Sequence, residues 1–146
     1  MTNRLQDIQV LRAEASTTTD LNKQKVLYSR VLQQSPKNSF IYLTFALLLL
    51  SQKKHKEAKQ KFKKAIVLAP NNESLYSKWL EALYWHGQWG EVAVFIETFR
   101  HKFYHQHFLE NSLGVCFLHL KDYDKAIECF KKAIGMVKGF KIAEMN

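Results

Sequence analysis

The side chains of this sequence that could do chemistry are its six histidines, thirteen acidic residues and two cysteines. His101 and His105 are four residues apart, so on one helix they would share a face and could chelate a metal ion. The sequence fixes no cysteine or carboxylate beside them, and His107 would point in another direction. This pattern is typical of a surface cluster, and we expect no metal site.

Glu81 and His119 could act as an acid–base pair if the elements that carry them are neighbours. However, no nucleophile, no pair of oxyanion donors and no cofactor site accompanies them in the sequence. Cys129 stands among lysines that could lower the pKa of its thiol, but no histidine is spaced to serve as its base. The glycines form no phosphate-binding loop either. We therefore expect a protein that is not an enzyme, with no catalytic residues and no cofactor.

The formal net charge of +9 is concentrated in one lysine-rich stretch. Seven lysines fall within twelve residues and are opposed by one glutamate: Lys53, Lys54, Lys56, Lys59, Lys61, Lys63 and Lys64. On a helix over residues 55–68 they surround every direction except the stripe of Ala58, Phe62 and Ala65, which places them on its outer face. The favoured interpretation is a solvated surface. The alternative is a docking strip for phosphate backbones or an acidic protein, although no aromatic stacking platform for nucleic acid coincides with the charge.

The elements that must position these side chains are predicted to be helices. Hydrophobic residues make up 47% of the 146 residues, with only five glycines and two prolines, which indicates a folded and almost entirely helical chain. The most apolar run, Phe40 to Leu50, has eleven residues, whereas a membrane span needs about 20, so it predicts a buried helix. The start of the sequence shows no signal peptide, and two cysteines make no disulfide framework. We therefore expect a cytoplasmic protein without a membrane span.

Key residues recur with a period of 34. Pro36 and Pro70 are one period apart. The same step relates Phe45 to Trp79 and Leu113, and Leu49 to Leu83 and Phe117, while two steps relate Ala58 to Ala126, Phe62 to Phe130 and Ala65 to Ala133. A period of 34 with a helix–turn–helix pattern in each unit resembles the tetratricopeptide repeat (TPR) family, over nearly the whole chain.

The repeat frame divides a predicted single domain, residues 1–146. Residues 5–38 are a degenerate repeat or N-terminal cap, residues 39–72, 73–106 and 107–140 are repeats, and residues 141–146 are a short tail. In the repeat of residues 73–106 Leu80, Val92 and Phe99 replace smaller residues, and no glycine or proline stands between Glu91 and His107 to stop the second helix. We therefore expect its second helix to run on longer than usual.

The resemblance implies an all-α fold, a right-handed superhelical array of antiparallel helix pairs whose first helices line a concave face. Carrying the family's groove positions onto this sequence gives a candidate peptide-binding groove made of Phe40, Leu43, Leu47, Lys78, Glu81, Tyr84, Trp85, Phe108, Asn111, Val115 and His119. Family members that grip a terminal carboxylate use basic and amide side chains at several of these sites. Here only Lys78 and Asn111 are suggestive, so we do not expect that clamp. For Leu43 and Leu47 the alternative is burial, beneath the N-terminal segment or a second copy.

The function implied by the resemblance is a scaffold or adaptor that binds a peptide segment of a partner protein in its groove. One alternative is a bacterial secretion-type chaperone, although small arrays of that type tend to be acidic. A different class is a nucleic-acid-associated factor that uses the lysine strip. A homodimer through the apolar first helices stays open as well.

Overall fold

The computed structural model describes the backbone of residues 4–144 and the side chains of residues 6–139. Within these residues the chain forms a succession of α-helices: α1 (Arg4–Thr17), α2 (Leu21–Gln34), α3 (Ser39–Ser51), α4 (His55–Leu68), α5 (Glu73–Trp85), α6 (Trp89–Phe99), α7 (Gln106–His119) and α8 (Tyr123–Glu144). Short turns reverse the chain between helices, so the predicted all-α fold of antiparallel helix pairs is confirmed. In the described part of the chain, no helix has the length and apolar character that crossing a bilayer requires.

The helices fall into two compact units, Met1–Trp79 and Leu80–Asn146, with the division inside α5. In the first unit α1 packs on α2, α2 on α3 and α3 on α4. In the second unit α6 packs on α7 and α7 on α8. The organisation of residues 1–146 as one domain, with the repeat boundaries given above, stays a prediction.

Small side chains let α3 and α4 approach each other closely. Ala46, Ala58 and Ala65 are completely buried, and the Phe62 ring fills the space that they leave. Phe62 stacks on Trp79 with ring centroids 4.8 Å apart and planes 7° apart. The small alanine side chains therefore allow α3 and α4 to pack closely. Phe62 connects this helix pair to Trp79, in the middle of α5.

Gly114 plays the same role between α7 and α8. A Cβ atom at this position would lie 2.5 Å from the Phe130 ring, closer than real Cβ contacts allow. Ala126 and Ala133 on α8 are buried as well. The second unit thus repeats the combination of a small residue on one helix and an aromatic ring on the next.

Three turns between the helices of a pair share one backbone conformation. Lys53, Gly87 and Lys121 all have φ between 60° and 65°, in the left-handed region that favours glycine. The residue that follows each of them donates its backbone N–H back into the preceding helix: Lys54 to Leu49 O at 2.9 Å, Gln88 to Leu83 O at 3.0 Å and Asp122 to Phe117 O at 2.9 Å. This is the hydrogen-bond pattern of a Schellman C-cap, repeated every 34 residues.

The prediction that the second helix of the repeat at residues 73–106 is longer than usual is wrong. α6 has 11 residues, whereas α4 has 14. It ends at Phe99 and is followed by a 3-10 turn, Arg100–Lys102. The side-chain amide of Gln106 donates hydrogen bonds to Arg100 O at 2.8 Å and Phe103 O at 2.6 Å. These bonds hold the segment that follows α6, which ends without glycine or proline.

The predicted tail, residues 141–146, is helical in its first part. α8 has 22 residues and continues through residues 141–144, while Met145 and Asn146 lie outside the described residues. The tail therefore supplies the last turn of α8.

The left-handed turns predict that Lys53→Gly and Lys121→Gly stabilise the protein. A non-glycine residue in this conformation loses about 1–2 kcal/mol, and glycine gives back about 0.5–1 kcal/mol in unfolded-chain entropy. We expect each substitution to raise the free energy of unfolding, measured in urea, by about 0.5–1 kcal/mol. Lys63→Gly, inside α4, is the matched control and should destabilise by about 1 kcal/mol. A destabilising effect of both turn substitutions would contradict the assigned conformation.

Candidate functional site

The histidines that could have chelated a metal do not share a helix. His101 lies in the 3-10 turn and His105 immediately precedes α7, and both side chains are exposed. The ring of His105 instead meets the ring of His107, with centroids 5.8 Å apart. Among the side chains that the structure describes, no three or more potential ligands come together for a metal ion.

Both cysteines are buried, and their thiols are poor nucleophiles. Burial raises the pKa of Cys116 to about 11. Burial also raises the pKa of Cys129, and the charge of Glu110 adds to that rise, against a smaller lowering by Lys132. Lys132 lowers the pKa of the Cys129 thiol, as the sequence allowed, but desolvation dominates and the pKa is raised overall.

An ion pair that a buried carboxylate makes, near Cys129, was missed by the sequence analysis. Glu110 on α7 is buried, and its Oε1 lies 3.0 Å from Nη2 of Arg100, beyond the end of α6. A buried carboxylate is costly unless it is paired, so the contact fixes where α7 starts relative to the 3-10 turn. The position of Glu110 directly after the apolar Leu109, three residues before the apolar Leu113, was the available signal. Its role is structural.

His119 takes part in an aromatic cluster. Its ring stacks on Trp89 with centroids 3.9 Å apart and planes 3° apart. Tyr84 meets the same indole edge-on at 5.1 Å. Glu81 is exposed on α5. The imidazole is thus engaged in packing at the ends of α5 and α7, where the sequence had allowed an acid–base pair.

The predicted groove residues of the first unit are not equally accessible. Phe40 and Lys78 are exposed, and Leu47 is half-buried. Leu43 is only 1% exposed, so it belongs to the core and offers no surface to a ligand. This placement agrees with the alternative of burial that the sequence left open for Leu43.

The predicted groove residues of the second unit are mostly at the surface. Glu81, Trp85, Phe108, Asn111 and His119 are exposed, while Tyr84 and Val115 are half-buried. Trp85 on α5 and Phe108 on α7 are therefore large aromatic side chains in contact with solvent.

A cleft of about 380 Å³ opens in the first unit between α1 and α3, with α2 behind it. Its lining consists of Gln9, Arg12, Ala13, Ser16, Tyr28, Phe40, Ile41 and Thr44. Phe40 was predicted as a groove residue, but the α1 residues were missed. The first helix of the degenerate repeat lacks the small and aromatic residues of the repeat pattern, so no feature of the sequence indicated a cleft there.

Tyr28 forms the back of this cleft. Its ring stacks on Phe45 with centroids 6.2 Å apart, which holds its position. Burial raises the pKa of the Tyr28 hydroxyl, and the positive charge of Arg12 opposes that rise. The guanidinium therefore lies close enough to the cleft wall to act electrostatically on groups inside it.

The lysine strip is only partly a free charged surface. Lys61 places its Nζ 5.0 Å from the centroid of the Phe45 ring. The one glutamate of the stretch, Glu57, pairs with Lys25 of α2 at 3.2 Å. The remaining six side chains are exposed: Lys53, Lys54, Lys56, Lys59, Lys63 and Lys64.

Two stretches of the chain match models of the same protein family. The tetratricopeptide repeat model matches the chain at residues 41–72 and again at residues 109–136. The solved structure of MamA AMB-1 is 17% identical, with a TM-score of 0.62 over 90% of this chain and 72% of that one. PilF of Pseudomonas aeruginosa is 20% identical, with a TM-score of 0.57 over 90% of this chain and 60% of that one. No curated protein matches the sequence significantly.

A third solved structure extends this likeness. BtubC from P. vanneervenii is 16% identical, with a TM-score of 0.56 over 83% of this chain and 58% of that one. The chain therefore spans about six-tenths of the length of BtubC and PilF. At these identities the likeness concerns the fold.

The raised thiol pKa of Cys116 predicts a loss of stability in alkali. Below pH 9 the thiol is neutral in both states and this contribution is fully present. As the pH rises towards about 11, the unfolded thiol ionises first and the contribution is lost. We expect the free energy of unfolding to fall by about 2–3 kcal/mol over this range, relative to Cys116→Ala. Native protein should also react with iodoacetamide at pH 8 far more slowly than unfolded protein. Equal rates would contradict the burial of the thiols.

Proposed function

Since the chain belongs to the tetratricopeptide repeat family, a family of protein–protein interaction scaffolds, we propose that it binds a peptide segment of a partner protein on the faces of its first helices. Each unit would offer its own apolar anchors, on α3 in the first unit and on α5 and α7 in the second. The scaffold itself would carry out no chemistry.

The observation that carries this proposal is the exposure of one large aromatic side chain on each of these helices. Phe40 is 49% exposed, Trp85 79% and Phe108 61%. Exposed apolar surface of this kind marks interaction sites, and aromatic residues dominate the energies of protein interfaces. In the first unit the cleft beside Phe40 offers a recess that a side chain of the segment can enter.

The titratable groups support binding in preference to catalysis. The two thiols are buried with raised pKa values, and the His119 ring is stacked on Trp89. The carboxylate of Glu110 is held by Arg100. Each of these groups is committed to packing or to an ion pair, which suits a scaffold.

A binding experiment with aromatic truncations tests the proposal. Binding of an array of acetylated and amidated dodecapeptides would be measured for the wild type and for Phe40→Ala, Trp85→Ala and Phe108→Ala. Loss of an aromatic anchor costs more than about 1.4 kcal/mol, so we expect at least about tenfold weaker binding of the selected peptides. Circular dichroism should show unchanged helicity, because the three side chains are exposed.

The matched control is Val67→Ala. Val67 is also apolar and 78% exposed, but it lies on α4, a second helix. Its truncation should leave peptide binding unchanged. An effect of Val67→Ala equal to that of the aromatic truncations would place binding elsewhere. Sedimentation at increasing concentration would show whether a second copy occupies the same faces.

A further inference from the structure

The cleft between α1 and α3 presents hydrogen-bond donors that the protein itself does not use. Gln9, Arg12 and Tyr28 all line it. Among the side chains that the structure describes, none of these three makes a hydrogen bond or an ion pair with another residue. Tyr28 is only 8% exposed and lines the cleft, so the surface that it still exposes belongs to the cleft wall. A ligand in the cleft could therefore accept hydrogen bonds from all three side chains.

The serine and threonine hydroxyl groups of the cleft, in contrast, have already used their protons. Ser16 Oγ donates to Ala13 O at 2.8 Å, and Thr44 Oγ1 donates to Phe40 O at 2.9 Å. The free donors are therefore the guanidinium, the phenol and an amide. A ligand that satisfies all three must offer several acceptor oxygens in a small volume.

The cleft also carries a positive charge that no described carboxylate neutralises. Glu14, on the same helix as Arg12, is paired with Lys23 of α2 at 3.2 Å. The chain as a whole has a net charge of +9, which attracts acidic partners from a distance. Charge and donor pattern thus both select an anion over a neutral acceptor.

We propose that this cleft binds the side-chain carboxylate of an aspartate or glutamate in the partner segment. Arg12 forms a charge-assisted, two-pronged contact with the carboxylate, and the Tyr28 hydroxyl donates from the back of the cleft. Phe40 and Ala13 provide an apolar wall for the neighbouring part of the segment. The inference rests on the proposed function and adds to it the chemistry that the first unit recognises.

The test uses the same peptide array, read for residue preference. We expect the peptides bound by wild-type protein to share an acidic residue at one position. Replacing it by the isosteric amide should weaken binding about tenfold, the size of one charge-assisted hydrogen bond. In Arg12→Gln protein the same replacement should change binding less than about twofold. Ala13→Leu, which fills the cleft without removing a charge, should abolish the acidic preference as well.

Arg30→Gln is the matched control, because Arg30 is exposed on α2 and its loss changes the net charge equally. It should preserve the acidic preference. An equal effect of Arg30→Gln, or an acidic preference that survives Arg12→Gln, would overturn the carboxylate site. A parallel array with free C-termini covers the other source of a carboxylate, and binding that requires the free terminus would also overturn the assignment to a side chain.

The outcomes separate this inference from the proposed function. Peptides that bind through the aromatic residues without any acidic preference would overturn the carboxylate site alone. The absence of any bound peptide would overturn both.

Discussion

Close approach of neighbouring helices, permitted by small residues opposite aromatic rings, is the constraint on which the structure depends. In the first unit Ala46 on α3 and Ala58 and Ala65 on α4 are fully buried, and Phe62 on α4 stacks on Trp79 at 4.8 Å. In the second unit Gly114 leaves room for the Phe130 ring. A larger side chain at any of these notches would separate the backbones and forfeit dispersion contacts along both helices. The period of 34 residues expresses this steric requirement, repeated along the chain.

The close packing requires tight connections between helices, and their polar groups are satisfied locally. Lys53, Gly87 and Lys121 adopt the left-handed conformation that closes a Schellman cap, and two of the three accept its cost without being glycine. At other connections a side chain forms hydrogen bonds with the backbone groups next to the helix. Asp20 accepts hydrogen bonds from two amides at the start of α2, and Gln106 donates to carbonyls beyond α6. The backbone geometry of the turn is thus kept, while the residues that enforce it vary.

The packing also decides which side chains of the first helices remain at the surface. A helix that is apolar on nearly all sides, such as α3, buries Leu43 and Leu49 and leaves Phe40 half-exposed at the edge of a cleft. On α5 and α7, Trp85 and Phe108 point into solvent. In each unit the proposed binding surface consists of apolar residues that core packing does not use, and in the first unit the donors of the cleft add to it.

The sequence by itself determined the helix pairs, the alanine and glycine notches and the aromatic residues between them, because spacing along a helix fixes which side chains share a face. It also identified Phe40, Trp85 and Phe108 as surface candidates. Only the tertiary structure decided the length of α6, the raised pKa values of the thiols, the Arg100–Glu110 pair and the cleft that Arg12 and Tyr28 line. Each of these arises from groups on different helices, so burial and electrostatic environment depend on a packing that periodicity along one helix does not encode.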